Sequence, residues 1–514
     1  MQKGLRYMVA VVLLLGLVAS AGCSGKSTTP ADKPAAEPAK QEAPVPLRIM
    51  VDWWQATTFE EDSPYWKELE KRLNIDLKVE WTPGNEYDTK LATVVASGQF
   101  PDSFLVNGGD PNLAAWMQQG AFMPVGDLIK QKMPDLSKNI NDIAFKAVTY
   151  KGKIHGIPRP RAVIRGGMVV REDYLKKVNL PMPTTYEELG KVLMAFKNQK
   201  VCGEGKKCYP FLAGERLGGV GLVIDSYAGG AAVAWREENG ALVYNGINPK
   251  VKDALSLLRQ WYTDGLIAKD FPVLKGPDQQ QIVVNGEGAT WYVDYIQTVT
   301  DERYNMFAGY GVGKAGGRLV PTPVLKTPDG KQLIAAASGT NGYMVIPSTL
   351  KDQKKIDALA RLFNYWSTPE GYEFWTWGIP GVHSTKGADG KLQLTEEGKK
   401  MQLATNQGSF RLTDVAPDVP YTNRLIDPPD MIKMLKGYYD GVNPHAVFDA
   451  SLGLISKTKQ QKFTELQNMQ IDYFTRIITG QVDLAAFDEF VQKWKSQGGD
   501  QITKEMEEYK KTLK

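Results

Sequence analysis

Histidine and cysteine are scarce: the chain has three of each in 514 residues. His155, His383 and His445 lie far apart and lack the spacing of metal ligands or of a His-Glu-x-x-His helix. No Gly-x-Ser-x-Gly elbow and no phosphate-binding loop occurs. Carboxylate pairs such as Glu60-Glu61 and Glu187-Glu188 read as solvated faces, although two carboxylates are all a glycosidase needs. The expectation is a non-enzyme with no catalytic residue, no cofactor and no metal. An excess of one charge is missing too. The formal net charge is +4, and no Lys/Arg run exceeds a few residues, which argues against nucleic acid as a partner and leaves no polybasic membrane patch. No repeat with a period of roughly 20–50 residues is apparent.

What is present begins with an export signal. Lys3 and Arg6 form a short positive region, and residues 7–22 carry no charge. The apolar run Val9–Val18 is shorter than the roughly 20 residues that span a bilayer. Residues 1–22 therefore read as a signal peptide. They lead into Ser20-Ala21-Gly22-Cys23, which resembles the bacterial lipobox, where the cysteine thiol is acylated at the start of the mature chain. Ser20 departs from that pattern, which usually has Leu there. The alternative is an ordinary cleaved signal followed by a chance cysteine. Residues 23–46 are rich in Ser, Thr, Pro, Ala, Lys and Glu and hold almost nothing large and apolar, too little to fold. They read as an extended tether that holds the body at the extracytoplasmic face of the cell membrane. Removal of Lys3 and Arg6 lowers the formal charge from +4 to +2, so the mature body is near neutral.

The body, about 465 residues from Leu47, is long enough for two or more domains. Cys202 and Cys208 are separated by Gly-Glu-Gly-Lys-Lys. The two glycines let so short a loop fold back, and exported proteins keep disulfides, so a bridge is expected. Two free thiols are the alternative. Leu47–Val51 is strand-like, Tyr65–Leu73 helix-like, and Ile75–Trp81 alternates as a half-buried strand does. Thr185–Glu188 has the form of a capping box. Thr368-Pro369 starts another helix, with Thr as cap and Pro in the first turn. Ile356, Leu359, Ala360, Phe363 and Trp366 share one helical face, as do Phe487, Phe490, Val491 and Trp494. Such alternation of strands and helices predicts an α/β layered fold.

A series of motifs carries a resemblance. Ala96-Ser-Gly-Gln-Phe-Pro-Asp102, Gly120-Ala-Phe-Met-Pro-Val-Gly-Asp-Leu-Ile129, Lys151-Gly-Lys-Ile-His-Gly-Ile-Pro158, Arg171-Glu-Asp-Tyr-Leu175 with Pro183-Thr-Thr, Asn285-Gly-Glu-Gly-Ala-Thr290, Gly378-Ile-Pro-Gly381 and Ile477-Ile-Thr-Gly480 occur in order from about residue 48 to 510. Each alone is weak, but their order and spacing are specific. The chain resembles the extracellular solute-binding proteins of ABC importers, family 1, in the large oligosaccharide-binding lipoprotein group of Gram-positive bacteria. The resemblance implies a two-lobed type II periplasmic-binding-protein-like fold, with the ligand in a cleft between lobes joined by about three crossovers. These are placed near Ile157–Val163, Gly309–Gly313 and Gly378–Ser384. The first lobe is assigned residues 47–158 plus 312–380, and the second 159–311 plus 381–514. Relatives often carry an acidic calcium loop where this chain has Asn198–Cys208. With one acid and three lysines the stretch is wrong for calcium, and the disulfide is expected to pin it instead.

The expected activity is binding of a carbohydrate, an oligosaccharide or other polar small solute, by lobe closure, with delivery to ABC permease subunits. The partners are that solute, the permease and, through Cys23, the membrane; the protein is expected to be a monomer. The alternatives are a sensor subunit for a membrane kinase and a surface-tethered glycan hydrolase. Sugars stack on aromatic rings while polar groups take their hydroxyls. Trp53-Trp54-Gln55 follow the first strand at its carboxyl end, where open α/β sheets bind ligands. Trp291-Tyr292 and Asp294 follow the Gly286–Thr290 turn, whose strand lines the pocket in relatives. Trp375 and Trp377 precede the third crossover. Trp235 and Asp110 complete the expected ligand set together with Arg161 and Arg165, which lie with Arg159 just past the Gly-Ile-Pro strand. An arginine fork suits carboxylates, so these hint at an acidic sugar; salt bridging between the lobes or at the surface is the other reading.

Overall fold

The computed structural model describes residues 42–53, 60–108, 110, 112–295, 319–388, 390–405, 412 and 429–513. The signal peptide, Cys23, most of the tether, Trp54, Gln55 and the stretch Gly309–Gly313 lie outside them.

Strand β1 (Val45–Trp53) is an apolar run buried on both faces toward its end, as a central parallel strand requires. Helix α1 (Pro64–Leu73) follows. The Ser63 hydroxyl accepts the Trp66 amide at 3.3 Å, Pro64 opens the helix, and Asn74 closes it in the left-handed region at φ 49°. α1 buries Tyr65, Trp66, Leu69 and Leu73, and a fully buried Leu contributes about 1.5–3 kcal/mol. β2 (Ile75–Pro83) alternates buried and exposed residues. α2 (Gly84–Ser97) then leads to β3 (Ser103–Val106).

Five strands form the first sheet: β2-β1-β3, then a late strand, Thr340–Val345, and at the edge β4 (Ile157–Pro160). β1, β2 and β3 are mutually parallel, and the late strand runs antiparallel to both β3 and β4. The carboxyl ends of β1, β2, β3 and β4 and the start of the late strand therefore share one edge.

The second sheet is small and antiparallel. β5 (Gly166–Arg171) lies between β6 (Thr290–Asp294) and β7 (Leu319–Pro321). The late first-sheet strand, Thr340–Val345, becomes β8 in chain order. Gly166 is required by the pairing of β5 with β6, because a Cβ there would sit 1.9 Å from the Val293 carbonyl oxygen.

Two large cores correspond to two lobes. The first combines residues 47–157 with 343–375, Met401 and Leu412. The second gathers helices of residues 186–267 and 466–506 around Met168 and Leu325. This division differs from the expected boundaries at two places. Leu319 and Leu325, expected in the first lobe, pack in the second, since β7 pairs with β5. Met401 and Leu412, expected in the second lobe, pack in the first. The stretch Gly378–Ser384 stays in the first lobe, where the His383 ring meets Tyr65 at 6.0 Å.

Two segments joining the lobes run side by side. Arg161 donates its amide to the Gly339 carbonyl at 2.9 Å, and Ala337 donates to Val163 at 2.7 Å. Leu412 packs in the first core, and Leu435 packs with Ile164 and Tyr295.

The local expectations meet the structure closely. Thr368 caps the helix Pro369–Trp377 by accepting the Gly371 amide at 3.0 Å. Thr185 accepts the Glu188 amide at 3.1 Å, but Glu188 reaches back to the Thr184 amide, one residue before the expected partner. Cys202 and Cys208 are joined by a disulfide, with Cα atoms 5.6 Å apart.

Candidate functional site

The carboxyl edge of the first sheet adjoins the paired connection, because β4 leads straight into Arg161 and β8 begins just after Gly339. On the other side of the connection, β5 starts at Gly166, opposite Asp294 at the end of β6. The ends of both sheets are thus joined through this short connection. Strand carboxyl ends gather unpaired backbone groups and loop side chains, which is why ligands bind there in open α/β sheets.

On the first-lobe side, Trp53 ends β1. It is 6% exposed and stands edge-on to Trp81 at 4.9 Å, and its Nε1 has no hydrogen-bond partner among the described residues. Asp110 lies in the turn after β3 and accepts the Asn112 amide at 2.7 Å. Burial raises its pKa above the usual aspartate value, the Asn112 amide opposes that, and the charge of Asp88 adds to it. Asn107 donates to Asp88 at 2.8 Å, so Asp88 belongs to the same rim.

At the connection, Arg159 is buried and its carbonyl accepts the Thr340 hydroxyl at 3.1 Å. Arg161 donates from Nη1 to the Pro160 carbonyl at 2.8 Å. Arg165 Nη2 meets Asp294 Oδ2 at 2.8 Å, with the arginine side chain 47% exposed. Two residues read separately as ligand contacts are therefore ion-paired with each other.

On β6 the alternation separates the adjacent aromatics. Trp291 is 3% exposed and packs with Val169 and Leu212, whereas Tyr292, opposite Met168, is 42% exposed. The turn before β6 is braced from the disulfide loop. Tyr209 donates its amide to Glu287 at 2.8 Å, Ala289 donates back to Tyr209 at 3.0 Å, and the Tyr174 hydroxyl donates to Gly286 at 2.6 Å.

The remaining expected residues are buried as well. Trp235 has no exposed surface; its ring lies 4.8 Å from that of Tyr244, and its Nε1 donates to the Thr503 hydroxyl at 2.9 Å. It serves the core of the second lobe. Trp375 packs in the first core, and Trp377 is buried at the end of its helix. Sequence reasoning passed over three buried polar residues near the rim: Asp52, Thr82 and Tyr343. The available signal was Asp52 itself, an acid inside the apolar run Ile49–Trp53.

A groove of about 480 Å³ lies elsewhere, between Ala241–Tyr244 and the helix Asp500–Thr512. A small cavity of about 40 Å³ lies beneath Met168 and Tyr295, lined by Tyr186, Asp225, Ser226 and Thr322. Burial pushes Asp225 up to about 7, against the Ala232 amide that it accepts at 2.7 Å. Among the described residues no group of three or more His, Cys, Asp or Glu is placed to hold a metal ion.

Comparison with known proteins agrees with this architecture. The profile of the bacterial extracellular solute-binding proteins matches residues 64–402. The polygalacturonan/rhamnogalacturonan-binding protein YtcQ of Bacillus subtilis is 27% identical over 518 residues, covering 99% of this chain and 98% of its own. The lipoprotein LipO of the same organism is 28% identical, covering 90% of this chain and 91% of its own. Among solved structures, the alginate-binding protein AlgQ2 superposes with a TM-score of 0.64 at 20% identity, covering 91% of this chain and 98% of its own. An HMO-binding, ABC-transporter-associated solute-binding protein from Bifidobacterium longum infantis gives 0.70 at 16% identity, covering 91% of this chain and 99% of its own. At such identities the structures speak for the two-lobed fold.

Proposed function

The chain belongs to the bacterial extracellular solute-binding proteins, and we propose that its solute is an acidic oligosaccharide of the galacturonate type. The observation that carries this reading is the run of Arg159, Arg161 and Arg165 at the connection between the lobes, with Arg165 half exposed and held by Asp294. A guanidinium presents a planar fork that matches a carboxylate, and such charge-assisted bonds are about twice as strong as neutral ones. A galacturonan carries one carboxylate per sugar. The nearly full-length likeness to a protein named for polygalacturonan and rhamnogalacturonan points the same way.

Trp53 and Tyr292 supply ring surface on opposite lobes, and Asp110 supplies an acceptor for hydroxyls. Trp54 and Gln55 continue the β1 edge in sequence. Closure follows from differential contact: a ligand that touches both lobes favours the state in which both touch it. The closed form then hands the solute to an ABC permease. Residues 1–22 direct export, and acylation at Cys23 tethers the body beside that permease; the likeness to a protein named a lipoprotein supports the anchor. The receptor acts as a monomer.

Calorimetric titration with oligogalacturonates and with neutral fructo-oligosaccharides tests the reading. Saturable binding of the acidic series, weakened by salt, is expected. Binding of the neutral series alone would refute the acidic solute, and release of shorter products would refute a receptor that is not an enzyme.

A further inference from the structure

Thr82, Asp52 and Tyr343 stand in one row across the first sheet. Asp52 is the register partner of Thr82, and Tyr343 is that of Val106 on one side and Pro158 on the other. Met50 faces Phe104 in the β1–β3 pair, so two residues further along Asp52 comes level with Val106. Register partners point to the same face of a sheet, and the three polar side chains share it. The row lies at the carboxyl edge: Thr82 and Asp52 are the next-to-last residues of their strands, and Val106 is the last of β3.

All three are buried, at 3%, 5% and 0% exposure respectively. Among the described residues neither the Thr82 hydroxyl nor the Tyr343 hydroxyl has a hydrogen-bond partner. The Tyr343 ring reaches toward the turn that carries Asp110, since a Cβ on Gly108 would stand 3.9 Å from its Cε2 atom. A buried hydroxyl without a partner is a standing cost to the folded protein, and Val or Phe of the same shape would remove it. Two such hydroxyls in one row with a buried carboxylate, at the carboxyl edge of the first sheet, have a use once a partner arrives.

We propose that Thr82 and Tyr343 are solute-contacting residues whose hydroxyls hydrogen-bond oxygens of the bound saccharide at the first-lobe wall. The inference rests on the receptor reading above and gives the site a direction. The first-lobe rim holds the carboxylates Asp52, Asp88 and Asp110, which repel uronate carboxylates and accept from hydroxyls. The connection holds Arg159, Arg161 and Arg165, which attract carboxylates. The sugar hydroxyls face β1 and β2, and the carboxylates face the connection.

The test is titration of the full mature chain with tri- and tetragalacturonate, alongside thermal melts without ligand. Thr82→Val and Tyr343→Phe each delete one hydroxyl and keep the shape. Each raises Kd about tenfold, as loss of one hydrogen bond requires, while Tm is not lowered; Thr82→Ser restores affinity. Unchanged Kd in both variants, whatever happens to Tm, overturns the proposal. Should Tyr343→Phe fail to fold, the Val and Ser variants at Thr82 decide alone. If the wild type binds only a neutral fructo-oligosaccharide, the acidic reading fails, and the same variants are judged by the same criteria with that sugar. If it binds neither, this inference falls with the receptor reading.

Discussion

Arg165 and Asp294, 129 positions apart in the chain, meet in a 2.8 Å ion pair where the second sheet reaches the connection between the lobes. Asp294 is the register partner of Gly166, so the pairing of β5 with β6 brings the acid to the arginine. The pair is partly exposed, and pairs of this kind contribute only about 0–1 kcal/mol to stability.

Arg165→Gln is therefore expected to leave Tm nearly unchanged and to weaken binding of oligogalacturonate by about ten- to a hundredfold, the worth of a charged hydrogen bond. Asp294→Asn removes one competing negative charge and is expected to tighten acidic binding. Titration at low and high salt checks both, and equal affinities in all three proteins would end the role assigned to Arg165.

The disulfide braces the turn that delivers β6. Closing a loop of so few residues contributes about 2 kcal/mol in the chain-entropy model. The double variant Cys202→Ala/Cys208→Ala should unfold at lower denaturant by that margin and should bind less tightly, because Tyr209, Glu287 and Ala289 hold the start of β6. Denaturant melts with and without reductant measure the first effect, and titration measures the second.

Two carboxylates should give opposite pH signatures. At Glu505, burial opposes ionisation, but donors from Ser456, Gln501 and Thr458 outweigh it and hold the group at about 2. Its folded value is depressed, so its contribution is complete above the ordinary glutamate range and is lost as pH falls from about 4.5 toward 2. Asp225 is raised to about 7. The folded protein then binds its proton more tightly than the unfolded chain does, and stability falls as pH rises from about 4 to 7. Asp225→Asn should raise Tm at pH 8 and change little near pH 4, whereas Glu505→Gln should flatten the acid limb. Melts across pH 2–8 test both signs.

Trp235→Ala separates core from cleft. Loss of a fully buried Trp costs about 3–5 kcal/mol. The folded fraction is expected to bind sugar with wild-type affinity. Reduced affinity at full folding would return Trp235 to the ligand set.

Much of the first lobe was legible. Ile75–Trp81 alternates in sequence and in burial, and Thr368-Pro369 carries its helix start in adjacent residues. These features depend on near neighbours, which a sequence displays directly. The site was harder to read. Trp291-Tyr292 had to split between two faces, but alternation does not say which face meets the cleft; packing against Leu212 and Val169 turned Trp291 inward. The crossovers were legible only in part: Ile157–Val163 was expected, but its partner segment Ala337–Gly339 was not, because the pairing that holds the two together joins residues far apart in the chain.

The sequence by itself determined the family, through the order of its motifs, and with it the two-lobed plan and the absence of a catalytic motif. Only the tertiary structure decided that Arg165 faces Asp294, that Trp235 is core, and that Thr82, Asp52 and Tyr343 form one row. Those relations join strands tens to hundreds of residues apart. Strand register sets them, and register is fixed by the burial of whole faces against helices rather than by any local run of residues.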